Sequence, residues 1–324
     1  MRWLHRFLFR KVKSYHNLVI RLRNMQPKWF GGLSVYEVLV SLINEFLQDS
    51  LLNRASSLAY NFMLALFPGI IFLFTLVAYI PVKNFQLTLL NVLQTIIPTN
   101  AYLALQSTIE DIIKNQNGKL LSLGFATALY FATNGVSNLM RSFNNSTLLL
   151  EKRTWLKRRL IATLLTVVIS IALLIAVVIL TAGQAVISNI QQYIATESHF
   201  WIYPIILSRW IIVISIFFFT ISLLYRYGPS HKLRWNFLNP GSVLATTLAV
   251  FTSIGFSYYI NNFSSYNKIY GSIGTLIVVM LWLYLNSLIL LIGFELNADI
   301  DFAKRNVKIV KPRHNYFKNR NLKS

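Results

Sequence analysis

Residues 57–80 read SLAYNFMLALFPGIIFLFTLVAYI, a stretch that contains no charge. As a helix rising 1.5 Å per residue it is about 36 Å long, enough to cross a hydrocarbon core of about 30 Å. Phe67-Pro68-Gly69 falls near its middle, where the missing proline N–H leaves the carbonyl of Leu64 free and predicts a kink. Working outward, further spans fall at about 120–140, 160–183, 201–225, 237–260 and 271–294, each free of charge except for Arg209 in the fourth. The 324 residues are 55% hydrophobic and 13% charged, with mean hydropathy +0.52. That apolar surplus is too large for one soluble core, so part of it must face lipid. The expected fold is all-α: a polytopic membrane helix bundle with six transmembrane helices.

Basic residues near span ends resist translocation, so their partition between alternate connections sets orientation. Of the 31 Lys and Arg, 26 fall on one side, in residues 1–54, in the connection around 141–159, in Arg226, Lys232 and Arg234, and from Lys304 onward. The other side holds Lys83, Lys114, Lys119 and Lys268. Both termini are therefore expected in the cytoplasm, with the chain multi-pass in a bacterial inner (plasma) membrane. The formal net charge of +21 is then a matter of topology and of anionic lipid headgroups, and nucleic acid is not an expected partner. The chain divides into a basic amphipathic cytoplasmic region (1–50), a six-span membrane domain (51–302) and a basic cytoplasmic tail (303–324).

In the first region Leu4, Leu8, Val12, Tyr15, Val19 and Leu22 recur at helical spacing between bases, as do Val35, Leu39, Leu42 and Phe46 after a break at Pro27 and Gly31-Gly32. Such helices lie either on the lipid surface or on the protein's own cytoplasmic face. Residues 81–119 form the longest extracytoplasmic connection and read as a helical hairpin interrupted at Pro98-Thr99.

Polar groups at membrane depth are the candidates for function, because each is costly in hydrocarbon unless it finds a partner or water. Arg209 either snorkels to headgroups or binds an anionic substrate. Pro68, Asn134-Gly135 and the Gly271 and Gly274 helix start are the candidate substrate path or gate. Arg54 and Glu295 flank the first and sixth spans on the same side and form a candidate interfacial ion pair. The chain has no cysteine, which excludes disulfides, thiolate catalysis and Cys-ligated metal. Its five histidines are dispersed, and it has no HExxH, GxSxG or phosphate-binding P-loop, so neither an enzyme nor a cofactor or metal site is expected.

RASSLAYNFMLALFPGI (54–70), the segment from NGVSNLMRSFNN to TWLKRRL (134–160), and YRYGPSHKLRWNFLNPG with SYYINNFSSYNKIYGSIGTLIVVMLWLYLNSLILLIGFELNA carry a further signal. In order and spacing they resemble the YihY/virulence factor BrkB family, from about residue 50 to 300. Ala65 and Tyr130 depart from the Ser and Trp frequent in the family. The resemblance implies a six-span bacterial inner-membrane protein without an established general activity. Members were formerly labelled ribonuclease BN, and others are described as virulence factors or candidate transporters with lipid-related cargo. Two readings follow: a transporter or lipid-handling protein with a path through the bundle, or a non-catalytic, virulence-associated protein that organises envelope partners, as a homo-oligomer or otherwise.

Overall fold

The computed structural model describes residues 13–30, 32–46, 50–79, 111–112, 115–146, 151–193, 202–230, 237–262 and 264–304. Two short helices, α1 (Lys13–Asn24) and α2 (Val35–Phe46), precede six long ones. These are α3 (Ser50–Val77), α4 (Gly118–Ser146), α5 (Trp155–Tyr193), α6 (Ile202–Tyr227), α7 (Pro240–Asn262) and α8 (Ser264–Lys304). Each of the six contains a stretch long and apolar enough to cross a bilayer, and the described residues contain no strand. The protein is a multi-pass, all-helical membrane bundle. The hairpin expected in 81–119 lies largely outside the described residues.

The long helices continue through their local irregularities. Helix α4 runs unbroken through Asn134-Gly135. Gly271 and Gly274 do not mark a helix start, because α8 begins at Ser264 and Ser264–Tyr270 contains no proline or glycine to stop it. Helix α5 runs beyond its apolar stretch, through Gly183, to Tyr193. Proline at position 68 is also accommodated inside α3.

Helix starts follow local chemistry. Ser34 and Glu37 form a reciprocal capping box at α2, with Glu37 N donating to Ser34 Oγ (3.2 Å) and Ser34 N donating to Glu37 Oε2 (2.8 Å). Gly32, at φ 92°, supplies the left-handed turn that precedes it. At α7 the cap is Asn239, whose Oδ1 accepts from Ser242 N at 2.8 Å, with Pro240 in the first helical position, where a missing N–H costs nothing.

The six long helices form a ring in chain order, each packed on the next, and α8 closes it against α3. Helix α2 lies across one end, with Val38 against Leu296 and Ile300 of α8. That end, called the basic end below, gathers the starts of α3, α5 and α7 with the ends of α4, α6 and α8. The main buried core sits beside it: Leu58, Met140, Phe143, Ala162, Tyr225, Ala245 and Phe294 are its centre.

Candidate functional site

Helix contacts in a membrane gain little from the hydrophobic effect, so they rest on close packing and polar links. The basic end shows both. Arg54 Nη2 of α3 donates to Glu295 Oε1 of α8 at 2.9 Å, while Nη1 donates to the carbonyl of Ser142 (3.0 Å) and to Ser146 Oγ (2.8 Å) of α4. Ser146 Oγ in turn donates to Glu295 Oε1 at 2.6 Å. Three helices thus share one charged knot, and its side chains are 16% and 5% exposed at Arg54 and Glu295. The structure therefore brings this sequence-predicted pair together.

A second knot joins α7 to α8. Asn297, fully buried, accepts from Gly241 N at 2.8 Å and donates to Asn239 Oδ1 at 2.7 Å. The backbones almost touch: a Cβ on Gly241 would lie 1.9 Å from the Gly293 carbonyl oxygen. Neighbouring Tyr225 of α6 donates its hydroxyl to the Leu290 carbonyl at 2.8 Å. The Phe143 and Phe294 rings stack at 4.1 Å, and Tyr225 meets each edge-on or tilted at 5.6 Å. This aromatic triad and its polar knots close the ring at the basic end.

A third knot ties two connections. Glu151 accepts from Arg153 Nε (2.8 Å) and from Asn144 Nδ2 (2.6 Å), and Arg153 Nη2 also reaches the Gly228 carbonyl at 2.9 Å. Hydrogen bonding from the Arg153 guanidinium outweighs burial and holds the Glu151 carboxyl below its usual range. A carboxylate with a depressed folded-state value stabilises fully above its unfolded value, near pH 4.3, and loses that contribution as pH falls through the folded one. In melts of detergent-solubilised protein, the deficit of Glu151→Gln relative to wild type is expected to be constant near pH 7 and to shrink below about pH 4.3. A deficit independent of pH down to 3 would remove the carboxylate from the account.

Toward the other end the ring opens around a cavity of about 220 Å³. Its walls come from α3 (Phe62), α5 (Ile169, Leu173), α6 (Phe217, Thr220), α7 (Ala249) and α8 (Trp282, Asn286). Counting residues from Glu295, Asn286 sits about 13 Å from the basic end, so the cavity is near mid-depth. Its floor is closed, with Ile221, Leu224 and Ile289 at 5%, 5% and 7% exposure. On the side farther from the basic end its lining is open, with Leu173, Phe217 and Trp282 at 50%, 42% and 39% exposure. The two polar side chains turn back on their own helices: Thr220 Oγ1 donates to the Ile216 carbonyl (2.7 Å) and Asn286 Nδ2 to that of Trp282 (2.9 Å). Little is left to replace the water shell of an ion, so the lining suits hydrocarbon.

The other sequence-predicted residues are placed differently. Asn134 Oδ1 accepts from Arg159 Nη1 of α5, whose guanidinium lies 5.0 Å from the Tyr130 ring centre. Asn138 Nδ2 donates to Ser57 Oγ of α3 at 2.8 Å. These asparagines are links between helices and do not line the cavity. Gly135 contributes indirectly: a Cβ there would fall 2.9 Å from the Phe62 ring, so its bareness lets that cavity wall approach α4. Pro68 and Gly274 are not in the cavity wall, and the surroundings of Gly271 lie outside the described residues. Arg209 lies in the second turn of α6 with its Nε buried and its guanidinium 5.9 Å from the Trp210 ring centre. Among the described residues no three His, Asp or Glu side chains converge to hold a metal ion. Sequence reasoning missed Phe62, Thr220, Ala249 and Asn286; their apolar surroundings look the same as the lipid-facing runs beside them.

A ring of six hydrophobic helices, sealed at a base-rich end and enclosing an apolar cavity, defines a polytopic integral membrane protein. The chain belongs to the family described as Virulence factor BrkB, which it matches over residues 42–315. It is 33% identical over 254 residues to the ribonuclease-like protein YfkH of Bacillus subtilis, covering 78% of this chain and 91% of that one. It is 26% identical to a UPF0761 membrane protein of Stenotrophomonas maltophilia, covering 80% of this chain and 59% of that one. To a UPF0761 membrane protein of Xanthomonas campestris it is 27% identical, over 90% of this chain and 65% of that one. The chain thus spans less than two thirds of those two relatives. No solved structure matches it significantly.

Proposed function

We propose that the protein handles lipid in a bacterial inner membrane, with both termini in the cytoplasm and no catalytic step of its own. The observation that carries this reading is the apolar cavity near mid-depth, whose mouth lies among exposed apolar side chains. Hydrocarbon would enter it with little desolvation cost, whereas a hydrated ion or a free anionic solute would find few polar groups in its lining. Orientation rests on the positive-inside partition, which makes the sealed basic end the cytoplasmic one. The ribonuclease-like name of one relative stays with that protein; here the Glu295 and Glu151 carboxylates are held by Arg54 and Arg153.

The test is reconstitution of the whole protein into vesicles carrying either a fluorescent phospholipid or a labelled anionic solute. Lipid exchange between leaflets is expected to exceed the protein-free rate, the solute is expected to stay in place, and Ala249→Phe, which fills the cavity, is expected to slow lipid exchange. If neither cargo moves, the organising role gains, supported by the exposed Leu18, Met25 and Trp29 near Arg21 and Arg23.

A further inference from the structure

The cavity does not stand alone on its helix. Arg209, Val213, Ile216 and Thr220 follow one another at i, i+4, i+7 and i+11, so they share one face of α6 about 60° wide. Ile216 and Thr220 line the cavity, and Val213 is buried above them. Arg209 therefore stands on the cavity side of α6, about 10 Å from Ile216 and about 16 Å from Thr220 along the axis, farther from the basic end than either. The buried Nε of Arg209 agrees with that placement. A cation and, about half a bilayer deeper on the same helix face, an apolar cavity match the two ends of a lipid.

Building on the lipid-handling reading, we propose that Arg209 and the cavity form one binding site for a phospholipid with an anionic headgroup. The guanidinium holds the phosphate, and one acyl chain runs down α6 so that its end fills the cavity. The order along α6 fixes the direction: Arg209 is farther from the basic end than the cavity, so the lipid has the head-out, tail-inward pose of the leaflet opposite that end. Volume limits the occupant as well. At about 30 Å³ for each water-sized group, 220 Å³ holds about seven such groups, the distal part of one chain and not two. Arginine suits the head because its planar fork bonds phosphate oxygens in pairs.

Photolabelling of the full-length protein in vesicles tests the proposal. The probes are phosphatidylglycerol and phosphatidylcholine, each with a photoreactive diazirine either near the head or at the end of one acyl chain, and labelled positions are read by peptide mass. With phosphatidylglycerol, the head-proximal diazirine is expected on Arg209–Val213 and the chain-end diazirine on Ile221–Leu224 and Ile289. Phosphatidylcholine is expected to label these positions less. Arg209→Gln is expected to reduce phosphatidylglycerol labelling about tenfold, the loss of one charge-assisted hydrogen bond, and Arg209→Lys is expected to keep part of it. Ala249→Phe is expected to remove chain-end labelling while leaving that of lipid-exposed Leu164 unchanged. The wild-type comparison of the two lipids needs no variant to fold. Cavity labelling no stronger than at Leu164, no preference for phosphatidylglycerol, or the reverse order of head and chain-end positions would overturn the site. Lipid exchange without cavity labelling defeats this inference and leaves the proposed function standing; cavity labelling without exchange upholds the site and defeats lipid movement as the function.

Discussion

Arg54→Glu is expected to destabilise the detergent-solubilised protein by about 3–5 kcal/mol, and Glu295→Arg by a similar amount, because each leaves a like charge facing a poorly solvated partner. The loss should be larger than for an exposed ion pair, worth at most about 1 kcal/mol. In Arg54→Glu the new carboxylate meets both Glu295 and the Ser142 carbonyl, which now receives a hydrogen bond at 3.0 Å. The double swap Arg54→Glu with Glu295→Arg restores opposite charges, and Ser146 Oγ can still bond either partner. It leaves the Ser142 carbonyl opposite a carboxylate, so recovery is expected to be partial. Thermal melts of the four proteins decide the matter; a swap no more stable than either single change would show that the pair contributes no specific attraction.

The second large effect is expected at Gly241→Ala. The added Cβ would meet the Gly293 carbonyl oxygen at 1.9 Å and Asn297 Cγ at 2.5 Å, and a helix backbone cannot yield as a flexible side chain can. Helices α7 and α8 must separate, which stretches the bond from Gly241 N to Asn297 and leaves buried polar groups unpaired. Overpacking costs about 1–3 kcal/mol and an orphaned buried polar group about 1–3 kcal/mol more. Gly255→Ala on the same helix provides the control, because its Cβ would meet nothing within 4 Å. That change is expected to stay within about 1 kcal/mol of wild type, the scale of helix propensity. Equal melting temperatures for Gly241→Ala and Gly255→Ala would mean that the α7–α8 contact is looser than described.

Much of this architecture was legible beforehand. Six runs such as Ser57–Ile80 leave few alternatives to helices once they are long, apolar and free of charge, and six helices of that kind are found. Alternation then puts Arg54 and Glu295 at one end, whatever their neighbours. Helix limits were read less well at Ser264–Tyr270, where short polar stretches without proline or glycine continue the helix beyond its apolar run. The role of Asn134 was not legible for a physical reason. A polar group at membrane depth is a candidate path residue, and only the tertiary structure shows that its side chain is engaged by Arg159 of the next helix.

The sequence by itself determined the solvent, the number of crossings and the end at which the bases gather, because these depend only on the order of charges and apolar runs along the chain. The tertiary structure decided which apolar side chains face the interior: Phe62 and Ala249 differ in no chemical respect from residues that face lipid, and only the closing of α8 against α3 turns them into a cavity wall. It likewise decided that Asn239 meets Asn297 across 58 residues, since a hydrogen bond depends on separation in space and leaves no periodic trace in sequence.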